Sequence, residues 1–512
     1  MKKIILIVTL GVFMATPFSC TYFDDLLEQQ PLGRNYSDVF WVDQSGAESG
    51  LAGAYSILRS TLVNGGSILW WGDFPGMFLL RSNHWIVNYI HGGNYFLAYW
   101  EYTREWNTFY RVITITNLIQ KHVPNIPLSE FRQSGMTEAE AQKVKDRIMG
   151  EALFLRALSY FYVARIWGDA PLITEAIESS DQLVDDDGFI IGVGRTDDIQ
   201  ILEQILKDLD QAKEWLDYSM PGDRNWAVQA NKGSAEALEA HASAWLASRV
   251  TGADRTAYLQ RAKAAATNVI NNSGASLLDY SDPNAVSQMF FGRSSEGLFE
   301  LNLSSSSNES FRVSNSTNHH VGFLLDQPYL ANRNNHACRP IFDTGRDLIN
   351  RYPEDYRITQ FFHNYGPEGF LIKYANMSPD EASTDQFAYF TESNLIIFRL
   401  ADIILLRAEV SANLGDYNQA LTDLNTIRNR ANLPNYTGTN EDMHIEIFNQ
   451  RAIELVGEGH SAFDRIRINY WEGVPWMTPQ RYEQEGYFWP IQPNYLLINR
   501  ELEQNQWWRG RI

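Results

Sequence analysis

Cysteine is nearly absent from this chain: of 512 residues only Cys20 and Cys338 are thiols. A disulfide framework is therefore excluded as the source of stability, which has to come from a buried core; the length and the 44% hydrophobic content allow a large one in one or two domains. Basic residues are also in deficit, 42 Lys and Arg against 62 Asp and Glu, for a formal net charge of −20. Such a surface repels phosphate backbones and anionic headgroups, so nucleic acid is not an expected partner. Beyond the first residues no stretch approaches the ~20 apolar residues that a membrane-spanning helix needs. The short signatures GxSxG, Walker A, CxxC and GxGxxG are missing too. That argues against several enzyme classes but not against glycosidases, whose carboxylates carry no short motif.

What is present begins with a leader. Met1, Lys2 and Lys3 supply positive charge, and Ile4 to Ala15 form a short apolar stretch, the layout of a secretory signal over residues 1–19. Small Ser19 precedes Cys20, the position at which a lipoprotein signal peptidase cuts and the thiol takes lipid; the alternative is an ordinary cleaved signal with an incidental cysteine. Loss of Lys2 and Lys3 with the leader makes the formal charge −22. Residues 20–37, with Asp24, Asp25, Glu28, Pro31 and Gly33, read as a polar tether. The rest is expected to be a soluble, mainly α-helical binding protein, lipid-anchored and without cofactor.

Helical periodicity is strongest from Thr137, where Thr137 and Glu140 form a capping box, through Val144, Ile148, Leu155, Tyr162 and Ile166 to a stop at Gly168. Further helices are expected near 43–60, 100–122, 196–217, 230–250, 255–271, 395–413, 417–432 and 441–456, with few and short strands. Ile396, Leu400, Ile403, Val410 and Leu414, a turn at Gly415, then Ala420, Leu421, Leu424 and Ile427 follow the logic of a tetratricopeptide-like hairpin, with Ala408 and Ala420 permitting close approach and Tyr417 filling the space between helices. One hairpin cannot bury its own face, so partner hairpins are expected in the first half. Two regions break the helical texture: 69–106, dense in aromatics, Gly and Asn, and 275–390, rich in Ser, Asn and Gly. Both read as long loops on a helical scaffold.

The segment 151–172, EALFLRALSYFYVARIWGDAPL, closely resembles the signature helix of the SusD/RagB family of outer-membrane nutrient-binding lipoproteins. Other matches follow in order: Trp106 to Asn117; Arg399 through Asp402 to Glu409; Arg451, Glu454, Glu458, Gly459, His460, Phe463 and Asp464; and Trp489 to Pro493 with Gln504 and Asn505. Departures are Gln492, which interrupts a Pro-Ile-Pro run, and Gln506, Trp507 and Trp508 in place of a Pro-Gly turn. The resemblance implies an N-terminal SusD-like region over 38–235 and a C-terminal RagB/SusD region over 236–512. It also implies a lipoprotein on the outer face of the outer membrane that delivers glycan to a TonB-dependent transporter. Asp24 and Asp25 are similar to surface-export signals of Bacteroidetes lipoproteins.

Sugar recognition needs flat apolar surface for the C–H face of a pyranose and amides or charged groups for its hydroxyls. The 70–100 region offers Trp71, Trp85, Tyr89 and Tyr95 as platforms and Asn83, His84, Asn88 and Asn94 as hydrogen-bond partners, each platform being weighed against a packing role. Asn318, His319, His320 and Tyr329 form a second group. Adjacent His319 and His320 lack metal-ligand spacing, and Asp181, Asp185, Asp186 and Asp187 do not fit an EF-hand loop, so no metal is expected. Glu454 and Glu458, four apart on one helix with Arg451 and Arg465 near, read as ion-paired and structural rather than catalytic. A surface glycoside hydrolase and a tetratricopeptide scaffold for proteins remain the competing functions.

Overall fold

The computed structural model describes residues 37–63, 67–77, 79–81, 89–95, 104–132, 135–184, 191–313, 338–340, 352–363, 370–384 and 388–512. Cys20, the leader and the tether lie outside these residues. The frame is a succession of packed helices: α1 (Gln44–Val63), α2 (Ser67–Gly72), α3 (Asn107–His122), α4 (Glu138–Trp167), α5 (Asp198–Trp215), α6 (Lys232–Arg249), α7 (Gly252–Asn272), α8 (Leu400–Asn413), α9 (Tyr417–Arg430), α10 (Asn440–Glu454) and α11 (Ser461–Ile468). Helix α1 packs on α3, α3 on α4, α4 on α5, α5 on α6, α6 on α7, α7 on α8, and α8 on both α9 and α10. The partner hairpins expected in the first half are therefore there. One core cluster runs from Ala47 to Trp508 across the whole frame.

Local chemistry explains the helix ends. Thr137 Oγ1 accepts from the Glu140 amide and the Glu140 carboxylate accepts from the Thr137 amide at 2.8 Å, so two otherwise orphaned donors are satisfied at the start of α4. Gly168 ends the helix at a φ of 74° that a side chain would resist. From Gly150 to Trp167 every residue of α4 is buried, which makes it the central post of the frame. The α8–α9 hairpin turns at Gly415, with φ of 78°, and Ala408, Ala412, Ala420 and Leu424 close it against Met443 and Ile447 of α10, with Tyr417 packed on their edge.

The expectation of one helix over 395–413 needs correction. Leu395–Arg399 is a strand (β2) antiparallel to Gly297–Leu301 (β1), and the helix starts only at Leu400. Both strands are buried on both faces, so neither alternates, and the apolar run Leu395–Phe398 of β2 merges with the apolar face of the helix that follows. The other strands in the 275–390 region are two or three residues long. No helix among the described residues is long and apolar enough to cross a membrane.

Glu300 on β1 is an oddity of this core. It is fully buried, its Oε2 has no hydrogen-bond partner among the described residues, and burial pushes its pKa up to about 7, against backbone and amide hydrogen bonds that lower it. A carboxylate whose folded pKa is raised stabilises fully below its unfolded value near 4.3 and loses that contribution as pH rises through 7. Glu300→Gln, which removes the charge, is therefore expected to raise stability by about 1–3 kcal/mol at pH 8, where the raised pKa makes the buried carboxylate costly to ionise. The gain should shrink toward zero at pH 4 in paired thermal melts; an equal gain at both pH values would refute the titration.

Candidate functional site

The loop-bearing segment after α1 is fastened at its base. Asp73 is fully buried, and its Oδ2 accepts from the Gly459 amide at 2.7 Å. Ser461 Oγ donates to the carbonyls of Gly72 and Asp73, each at 3.2 Å, and Arg465 Nε to the carbonyl of Gly76 at 2.7 Å. Burial raises the Asp73 pKa to about 7, against the Gly459 amide, which lowers it. The turn after α10 thus holds α2 and the 3-10 turn Phe74–Gly76 in place, and Leu79–Arg81 follows as a strand paired with Cys338–Pro340.

The aromatic candidates part company here. Trp71 is only 3% exposed, its ring 5.7 Å from Phe109 and 5.8 Å from Trp167. Tyr95 is equally buried, stacked on Trp489 at 4.7 Å and edge-on to Trp476 at 5.5 Å, with the Arg481 guanidinium 5.3 Å from its ring. Neither face is open, so both are corrected from sugar platforms to packing residues: a ring enclosed by other rings gains more from burial than solvent exposure would return. Tyr89 is 44% exposed and Asn94 is exposed as well. They share one closed turn, in which the Asn94 amide donates to the Tyr89 carbonyl at 2.8 Å and the Gly93 amide to the Ile90 carbonyl at 2.8 Å. Buried Ile90 and Tyr95 anchor that turn, which leaves Tyr89 and Asn94 as its outward pair. Asn83, His84, Trp85 and Asn88 lie outside the described residues, as do Asn318, His319, His320 and Tyr329.

Sequence reasoning overlooked the wall that the turn leans on. Gly93, at φ of 77°, sits against Trp476 and Arg481. The Arg481 guanidinium is 4.5 Å from the Trp476 ring and 5.1 Å from that of Trp507, and Trp471 lies 6.2 Å from Trp476. The high aromatic density of 470–508 was the available signal. Of the fifteen tryptophans, eight are buried and five, Trp41, Trp215, Trp471, Trp476 and Trp507, are half-buried. Those five present edges or partial faces, so Tyr89 is the most open ring of the candidate set among the described residues.

The paired carboxylates form a closed ion cluster. Glu454 and Glu458 are 0% and 2% exposed. Their partners are not Arg451 and Arg465 but Arg399, which reaches Glu454 at 2.9 Å, Glu458 at 2.8 Å and Glu296 at 2.7 Å, together with Arg430 (2.6 Å from Glu454), Arg357 (3.3 Å from Glu454) and Lys373 (2.7 Å from Glu458). Arg451 instead pairs with Asp402 at 2.8 Å and Asp464 at 3.0 Å, and Arg465 donates to backbone carbonyls. Burial pushes the Glu454 carboxyl up, but Arg430, Arg399 and Arg357 outweigh it and hold it well below the ordinary range. Carboxylates so saturated and enclosed serve the packing of α8, α9 and α10, not proton transfer to a ligand. Asp181 is exposed, Asp185 to Asp187 lie outside the described residues, and among the described residues no three His, Cys, Asp or Glu side chains converge as metal ligands.

Comparisons with known proteins agree with this frame. The SusD family model matches residues 348–477, and a second model, described as starch-binding associating with outer membrane, matches residues 81–240; together they cover more than half of the chain. SusD-like protein P38 of Formosa agariphila is 24% identical over 98% of this chain and 97% of its own, and SusD-like protein P25 of the same organism is 25% identical over 89% of each. A SusD homolog from Bacteroides thetaiotaomicron, solved by crystallography, superposes with a TM-score of 0.76 at 24% identity, covering 91% of this chain and 98% of that one. With two models of one kind matched in order, relatives aligned from end to end and the same helical frame, the chain belongs to the SusD/RagB family.

Proposed function

We propose that this protein is a lipoprotein, anchored through Cys20 on the outer face of the outer membrane, that binds an oligo- or polysaccharide and delivers it to a TonB-dependent transporter, without turning it over. The observation that carries the reading is the 89–95 turn: an exposed tyrosine beside an exposed asparagine, held rigid by Ile90 and by Tyr95 in its ring box. A pre-ordered ring with an amide next to it meets the two needs of pyranose recognition at little entropic cost. The family model's description as starch-binding and outer-membrane-associated supports the same chemistry. Tyr89 and Asn94, with Trp85, Asn83, His84 and Asn88 of the adjoining segment, are its binding residues, and the acidic surface disfavours polyanionic partners.

The test is a glycan array followed by calorimetry on the best ligand, using wild type, Tyr89→Ala and Trp85→Ala. Each variant is expected to lose about 1–2 kcal/mol of binding with the melting temperature nearly unchanged, as for exposed stacking residues. A blank array would overturn the proposal, and reducing ends released from a polysaccharide by pure protein would favour a hydrolase instead.

A further inference from the structure

A second feature with the chemistry of a sugar site lies on the helical frame, built from elements other than the 89–95 turn. Two clefts, of about 410 and 370 Å³, lie side by side and share Asn225 and Gln229, from the connection between α5 and α6, as lining residues. Each is within the size range of small-molecule sites, and two neighbouring clefts suit a chain of rings better than a single ring. One wall is a stripe of α1. Ala47, Leu51, Ala54, Leu58 and Leu62 turn inward, while Glu48, Ala52, Tyr55 and Arg59, spaced four, three and four apart, line the second cleft. Ala52 is small and exposed, which leaves the cleft open at its middle.

The polar groups of the floor are already ordered. Glu151 of α4 is fully buried and accepts from Tyr55 Oη at 2.7 Å, Gln229 Nε2 at 2.6 Å and Arg147 Nη1 at 2.5 Å. The Ala230 amide donates to Tyr55 Oη at 2.9 Å, and Asn225 Nδ2 to Gln229 Oε1 at 2.6 Å. Tyr55, Gln229 and Asn225 are thus held by one network with a half-buried ring at its rim. Across the second cleft, Arg59 pairs with Glu309 while its Nε is buried with no partner among the described residues. Arg293 is exposed there and makes no hydrogen bond or ion pair through its guanidinium with the described residues. The first cleft adds Trp215, half-buried, as a flat apolar surface.

Charge selects the ligand class. In the first cleft Lys143 and Arg147 face Asp146, Glu214 and Asp217; in the second Arg59 and Arg293 face Glu48, Glu151 and Glu309. Arg147 also pairs with Glu48 and Glu151 of the second cleft, so across the two clefts six carboxylates face four cations; a uronate or sulfated chain would meet net repulsion and a neutral one would not.

We propose that these adjoining clefts form a second glycan subsite, which takes an extended segment of a neutral oligosaccharide; the proposal rests on the glycan-binding reading above. The test titrates the full chain in detergent with malto-, cello-, laminari-, xylo- and manno-hexasaccharides, and with hexagalacturonate as the anionic counterpart. Ala52→Trp fills the cleft from an exposed helix position, and Arg293→Ala removes an exposed guanidinium, so both are expected to fold with unchanged melting temperature. For the best neutral hexasaccharide we expect about tenfold weaker binding by each variant. Wild-type affinity in both variants overturns the second subsite and leaves glycan binding standing; no binding of any hexasaccharide by wild type overturns both. Hexagalacturonate bound by wild type and lost in Ala52→Trp overturns the assignment to neutral glycans.

Discussion

Arg399→Ala is expected to cost about 3–5 kcal/mol of stability, the range for removing one partner of a buried ion pair. The residue sits where β2 passes into α8, and its guanidinium binds Glu296, Glu454 and Glu458 at once while also donating to the Glu454 carbonyl at 2.6 Å. Without it Arg430, Arg357 and Lys373 remain, but Glu458 keeps only Lys373 as a cationic partner among the described residues, in a site that water does not reach. The loss comes from stranding carboxylates more than from losing attraction, so Arg399→Lys, which keeps a charge but not the fork of donors, should recover only part of it. Urea unfolding of the three proteins at pH 7 measures this. The cluster also has a predictable acid limit. The folded pKa values of Glu454 and Glu458 are depressed, so their contribution is complete above the unfolded value near 4.3 and lost as pH falls below it. The difference between wild type and Arg399→Ala should be steady from pH 5 to 7, below the lowered pKa of Lys373, and narrow below pH 4. A loss under 1 kcal/mol at neutral pH would show that the cluster is not what joins β2 to α10.

Gly72→Ala is expected to be nearly as damaging, for a steric reason. A Cβ on Gly72 would stand 2.1 Å from the carbonyl oxygen of Gly459 and 2.4 Å from its carbonyl carbon, and neither is the end of a flexible side chain. The backbone of α2 must retreat, which strains the Asp73 and Ser461 hydrogen bonds that fasten the loop-bearing segment. Overpacking of this kind costs ~3 kcal/mol, and here it should also weaken glycan binding because His91 of the 89–95 turn packs edge-on to Phe74 of the displaced segment. Gly53→Ala is the internal control. It lies in α1 with open space around the added methyl, and should be neutral or stabilising by up to about 1 kcal/mol. If Gly72→Ala behaved like Gly53→Ala in melting and binding, the close approach would not be holding the segment in place.

Much of the frame could be read from residues alone, because helices announce themselves locally. The Thr137–Glu140 box, Gly168 and the Gly415 turn act within a few residues of themselves, and their consequences stand where the spacing put them. The strand over Leu395–Arg399 was hidden because its partner is about a hundred residues away; only pairing with Gly297–Leu301 distinguishes five apolar residues of a buried strand from the first turn of a helix. The same holds for the ion cluster. Spacing put Glu454 and Glu458 on one helix, but α10 ends at Glu454 and Glu458 lies in the turn beyond it, and the cations that meet them come from positions 357, 373, 399 and 430.

The candidate site divides along the same line. Composition and order of motifs determined, by themselves, a mainly helical acidic protein of the SusD/RagB kind, since these follow from residue type and short-range spacing; the ring-rich stretch read as one long loop instead opens with α2, a 3-10 turn and a short strand. Which rings face water was decided by tertiary structure alone. Trp71 and Tyr95 differ from Tyr89 not in chemistry but in what folds over them: Phe109 and Trp167 for the first, Trp476, Trp489 and Trp508 for the second, all brought from far along the chain. Burial is a property of the whole packed assembly, and no local pattern of aromatics encodes it.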